Sequence, residues 1–169
     1  MHPVRQHIVT LAAKEIGRGD RTRYYPGVLP DAGSPNLEWC GIFLLWVLHQ
    51  AGLMKEVRWE YGKGFLYRLP NTSNPQPGDM GYKHHLNHQN LVVALDEDPR
   101  YLWTIDGNSM YGKVTGPNRQ RKSDFAAFYS VEPLLKDAPM PPSSVNWGII
   151  AGMSAAFGLG AYLIWLKRK

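Results

Sequence analysis

The chain is poor in cysteine: Cys40 is the only one among 169 residues. An intrachain disulfide is therefore excluded, and so is a zinc site built on several thiolates. No internal repeat occurs. The opening residues, Met1-His2-Pro3-Val4-Arg5-Gln6-His7-Ile8, lack the continuous apolar stretch of a signal peptide. A surplus of one charge is also missing from most of the chain. The formal net charge is +5, but Lys167, Arg168 and Lys169 have no acidic neighbour, and setting those three aside leaves 16 basic against 14 acidic residues. A balance so near neutrality speaks against a nucleic-acid partner. The basic run Asn118-Arg119-Gln120-Arg121-Lys122 reads as a solvated loop.

What is present is a globular composition, with 44% hydrophobic and 20% charged residues. It excludes wholesale disorder and suits one compact domain. Mean hydropathy is −0.34, too polar for several membrane spans. Val4, Ile8, Leu11, Ala12 and Ile16 recur at helical spacing, which predicts an amphipathic helix from about Val4 to Ile16, ended by Gly17. A Gly-, Pro- and Asp-rich loop follows over 17–35. The segment from Asn36 to Leu53 is apolar almost all round and reads as a buried central helix stopped by Gly52, with Cys40 in its first turn. Strands are expected at about 79–82, 90–95, 102–106, 113–115 and 125–131, bounded by polar turns.

The distribution of apolar residues changes after residue 135. Lys136 to Ser144 carries three prolines and reads as a semi-rigid linker. Trp147 to Leu166 carries no charge, has aromatic residues near both ends, and is followed by Lys167-Arg168-Lys169. A bilayer core needs ~20 such residues, so 145–169 is expected to be a transmembrane helix. Gly148 and Gly152 form a small-residue pair that permits helix–helix self-association.

Three features point to chemistry. A cysteine in a helix's first turn meets unpaired backbone N–H groups that favour the nucleophilic thiolate. A cysteine nucleophile needs a base, usually histidine, and a group to orient it. His84, His85 and His88 cluster before a strand, and Thr104-Ile105-Asp106-Gly107-Asn108-Ser109 ends the next one. Read alone, Cys40 is equally a small core residue and the Asp-Gly pair a turn. A metal site on the histidine trio is not expected, since no Asp or Glu stands close by.

Taken in order, Glu38-Trp39-Cys40-Gly41-Ile42-Phe43, the helix ending Ala51-Gly52-Leu53, Pro77-Gly78-Asp79, the histidines and Asp106-Gly107-Asn108-Ser109 resemble the CHAP family of cysteine, histidine-dependent amidohydrolases and peptidases, within the NlpC-type papain-like group. The resemblance covers roughly residues 4–132. It implies an α+β, papain-like fold, with the cysteine helix packed on an antiparallel sheet over 1–135, followed by the linker 136–144 and the single C-terminal transmembrane helix. It implies cleavage of an amide or peptide bond in bacterial peptidoglycan without cofactor or metal. Cys40 is then the nucleophile and His88 the base, with His85 as the lesser alternative. Asp106 and Asn108 are candidates to orient the imidazole. Tyr24 and Tyr25 are candidates for an oxyanion donor beside the Cys40 N–H. His88 departs from the family pattern in being followed by Gln89-Asn90.

The expected localisation is a single-pass membrane protein, in a virion membrane or the bacterial inner membrane, with the catalytic domain facing peptidoglycan. Small size and a single enzyme domain suit a bacteriophage protein acting in lysis or entry. Two other functions fit the same scaffold. A lipid acyltransferase or thioesterase of the superfamily is disfavoured because its histidine precedes its cysteine. The other is an inactive, membrane-anchored structural or wall-binding protein.

Overall fold

A computed structural model describes residues 1–29, 39–60 and 64–141. Helix α1 runs Pro3–Ala13. Pro3 stands at its start, where a missing N–H costs nothing, and the His2 Nδ1 accepts the Val4 N–H at 3.3 Å. The helix stops short of the expected Ile16: residues 14–17 form a turn closed by Gly17 at φ +89°, a conformation open to glycine. Helix α2 runs Cys40–Gln50, so Cys40 is its first residue, and Gly52 at φ +81° reverses the chain behind it. Ile42, Phe43, Leu44, Leu45, Val47 and Leu48 are all fully buried. At about 1.5–3 kcal/mol for each such side chain, an upper bound, α2 is the apolar centre of the molecule.

Strands β1 (Met80–Lys83), β2 (His88–Leu95), β3 (Tyr101–Ser109), β4 (Lys113–Arg121) and β5 (Ala127–Tyr129) form one antiparallel sheet in the order β4-β3-β2-β1-β5. Strand β4 is much longer than expected and runs through the basic segment read as a loop. Arg119 pairs in register with Trp103 and Arg121 with Tyr101. Polar, charged residues suit this position because β4 is an edge of the sheet.

The pleat sends alternate side chains to opposite faces. Met80, Tyr82, Leu91, Val93 and Ile105 join α1 and α2 in the main core. Val92, Leu102, Phe125 and Phe128 form a small second cluster on the far face. The Pro77-Gly78-Asp79 turn is pinned from inside. Asp79 accepts from Arg5 Nη1 at 2.7 Å, from the Val131 N–H at 3.0 Å and from the Gln76 N–H at 2.8 Å. That buried pair joins α1 to the segment after β5. At the other end of α2, Pro139 packs on Gly52.

The expected fold class, a papain-like domain followed by a transmembrane helix, is corrected by this architecture. The described chain is a small α+β unit of two α-helices and a five-stranded antiparallel sheet. No described helix is long and apolar enough to cross a membrane. Each α-helix has 11 residues, or roughly 16 Å against a hydrocarbon core of about 30 Å. Residues 145–169, which carry the transmembrane expectation and the Gly148/Gly152 pair, lie outside the described residues.

Candidate functional site

Strands β2 and β3 are antiparallel neighbours, so the start of β2 and the end of β3 share one end of the sheet. The first turn of α2 lies over that end. A Cβ placed on Gly41 would meet the Gln89 amide at 2.8 Å and the Trp59 indole nitrogen at 3.0 Å. A Cβ on Gly107 would meet the Phe43 Cβ at 2.7 Å. Both glycines are therefore places where α2 and the sheet approach too closely for a side chain. Each sequence-expected site residue stands one position from such a contact: Cys40 before Gly41, His88 before Gln89, Asp106 and Asn108 on either side of Gly107.

The pleat sorts these residues between two faces. Tyr82 pairs with Gln89 and Met80 with Leu91, on the helix side; Lys83 pairs with His88 and Gly81 with Asn90, on the far side. Gln89 is thus the β2 residue turned toward the first turn of α2. His88 starts the strand with the opposite parity. Ile105 and Gly107 face the helix, which assigns Asp106 to the far face. There Asp106 is buried and both of its oxygens are engaged. Oδ1 accepts from Asn90 Nδ2 at 2.6 Å, and Oδ2 accepts from Asn118 Nδ2 at 2.9 Å. Asn118 Nδ2 also reaches Thr115 Oγ1 at 3.2 Å. Asn108 has a left-handed backbone, φ +51°, which asparagine tolerates better than most residues.

Cys40 is buried and forms no disulfide. Its neighbour Trp39 caps α2 without a side-chain hydrogen bond to the first-turn N–H groups. His84 and His85 lie exposed on a short 3-10 turn between β1 and β2. Among the described residues no group of His, Cys, Asp and Glu side chains could hold a metal ion. Of the two tyrosines, Tyr24 departs from expectation. Tyr24 is fully buried, stacks on Trp39 with ring centroids 5.5 Å apart, and donates its hydroxyl to Glu15 at 3.0 Å. Burial first, then the Glu15 carboxylate, pushes that hydroxyl's pKa far up. Tyr24 is a core residue. Tyr25 packs partly buried against the same core.

The residues that sequence reasoning passed over are Gln89, Trp59, Asn90 and Asn118. Only strand parity could have found the first, and the apolar run Leu91-Val92-Val93 hides it, since both faces carry large apolar residues. Compared with protein-family models, with curated proteins and with solved structures, the chain matches none.

Proposed function

We propose that the chain is a cysteine amidohydrolase or peptidase whose substrate is an amide or peptide bond of bacterial peptidoglycan. One observation carries the chemistry: the helix turn that begins with Cys40 lies over the sheet end where His88, Asp106 and Asn108 stand. The substrate class rests on the motif order around Cys40, Pro77-Gly78-Asp79 and Asp106-Gly107-Asn108. In this reading the Cys40 thiolate attacks the carbonyl carbon. His88 takes the thiol proton and returns it to the leaving amine, and water then releases the acyl group from sulfur. Asp106 and Asn108 orient the ring. The Cys40 backbone N–H holds the developing oxyanion, with the Gln89 amide, beside Gly41, as the second donor of this reading.

A second reading, an inactive wall-binding scaffold, draws on a different observation. Gln89, and not His88, has the parity of the helix face, and Asp106 already gives both oxygens to asparagine amides. Full-length wild type and Cys40→Ala separate the two when each is incubated with purified peptidoglycan and the soluble fragments are weighed by mass spectrometry. Hydrolysis predicts fragments from wild type alone, their masses naming the bond. A folded wild type that binds the polymer but releases nothing establishes the scaffold. A folded protein that neither binds nor cleaves overturns both.

A further inference from the structure

The opposite end of β3 carries a second site. A cavity of about 380 Å³ opens there, lined by Arg100, Tyr101, Arg121, Lys122 and Ser123. Three cations and the hydroxyl-bearing Tyr101 and Ser123 line it, and among the described residues no carboxylate does. Two nearby carboxylates are already paired, one of them with a wall residue. Asp96 holds Arg119 through two hydrogen bonds, and Asp98 holds Arg100 through its Nε and Nη2, leaving Nη1 without a bond among the described residues. Arg121 and Lys122 have no carboxylate partner among the described residues. Arg121 is nonetheless held in place, because its Nε donates to the Tyr101 hydroxyl at 3.0 Å. The Lys122 N–H donates to the Arg100 carbonyl at 2.8 Å, which joins the two walls. Arg119 stacks over the Tyr101 ring, 3.8 Å from its centre, and backs the arrangement.

We infer that this cavity binds a phosphate group carried on a small organic unit. The argument is one of donors and space. A guanidinium oriented by a tyrosine, an ammonium, a hydroxyl and a spare guanidinium edge offer more hydrogen bonds than one carboxylate accepts, and they suit a phosphate's oxygens. The volume sits at the lower end of small-ligand pockets, ~300–1,000 Å³, which leaves room for a substituent on the phosphorus. The basic run 118–122 thus acquires a purpose that a solvated loop lacks. The site is independent of the proposed hydrolase chemistry. Cys40 lies over the far end of β3, eight residue steps from Tyr101 to Ser109, or roughly 26 Å.

The test is calorimetric titration of the full chain with glycerol 3-phosphate and, separately, with inorganic phosphate. Co-sedimentation with phosphatidylglycerol vesicles, against phosphatidylcholine vesicles, forms the third arm. Wild type binds glycerol 3-phosphate and Arg121→Ala/Lys122→Ala binds at least tenfold more weakly, while Arg58→Ala, which removes an exposed cation elsewhere, binds as wild type. Ser123→Asp exchanges the hydroxyl donor for a carboxylate in the cavity and breaks none of the hydrogen bonds named above. It gives the same loss and keeps the test open should the double variant unfold. Vesicle binding that depends on Arg121 and Lys122, without binding of the soluble phosphates, assigns the phosphate to a lipid headgroup. Wild type that binds none of the three, or variants that bind as tightly as wild type, overturns the inference.

Discussion

The two faces of the central sheet are built on opposite principles. Apart from Gln89 at its end, the helix side is apolar and closed: Leu91, Val93 and Ile105 meet α2 with no side chain at all on Gly107. The far side mixes a four-residue apolar cluster with the buried polar set Asn90, Thr104 and Asp106. The helix side draws its stability from area removed from water, which is insensitive to direction. The far side depends on partners, because a buried carboxylate or amide is tolerable only while bonded. One face therefore tolerates apolar exchanges that keep volume. The other tolerates changes of volume that keep hydrogen bonds.

The largest effect should come from the closed side. Phe43→Ala removes a fully buried ring wedged against Gly107 and Tyr24, and is expected to cost about 3–5 kcal/mol in urea unfolding. Asp106→Leu should follow. It leaves the buried Asn90 amide without its acceptor, at roughly 1–3 kcal/mol, while the half-buried Asn118 keeps Thr115 Oγ1; Asp106→Asn, with one acceptor oxygen left, should recover part of the loss. If Asp106→Leu proved as stable as wild type, the contrast between the faces would collapse.

A pair of glycines sharpens the comparison. Gly107 meets Phe43 at its Cβ, close to the helix backbone, while Gly81 on the far face meets ring atoms of Phe125. A ring edge can swing and a helix cannot. Gly107→Ala is expected to cost about 1–3 kcal/mol and Gly81→Ala less than that, read from paired denaturation curves. The smallest effect is on pH dependence. Burial lowers the pKa of His49 from its ordinary 6.5, outweighing backbone hydrogen bonds at Met54 and Val57 that raise it. The unfolded chain then binds the proton more readily than the folded one. His49 stability is complete above about pH 6.5 and is lost as pH falls below it toward the folded value. Melting temperatures taken from neutral to mildly acid pH should decline, and His49→Gln should flatten part of that decline. The slope left in the variant includes that of His7, which burial and then Lys14 also shift down.

Much of this fold is legible in the sequence. The spacing of Val4, Ile8 and Ala12 and the apolar block 42–48 announce two helices, and glycines at 17 and 52 announce where the chain turns away from them. Four of the five strands fall near their expected places. Strand β4 is expected only over 113–115; the rest, 116–121, escapes because its residues are polar or small on both faces and its pairing with β3 is an edge property that no local pattern records. The candidate site is legible as an order of motifs and as one end of a sheet. Its facing is not. Whether His88 or Gln89 turns toward Cys40 depends on a one-residue parity. The run Leu91-Val92-Val93 is apolar on both sides and leaves that parity silent. The fixing of Asp106 by Asn90 and Asn118 joins three strands and has no local signature either.

The carboxylate of Asp79 has a consequence for how the chain is made. It gathers Arg5 and the Val131 N–H, and Arg5 also reaches Glu132, a contact across 127 positions of sequence. Contacts so distant form late, since the intervening loop must first lose its freedom. During synthesis, Arg5 and Asp79 can meet once residue 79 has left the ribosome, but one acceptor bond stays open for a further stretch of about fifty residues, several seconds of translation at ~5–20 residues per second. The N-terminal helix is thus translated first and secured last, and a nascent chain halted before residue 131 exposes a buried ion pair in the making.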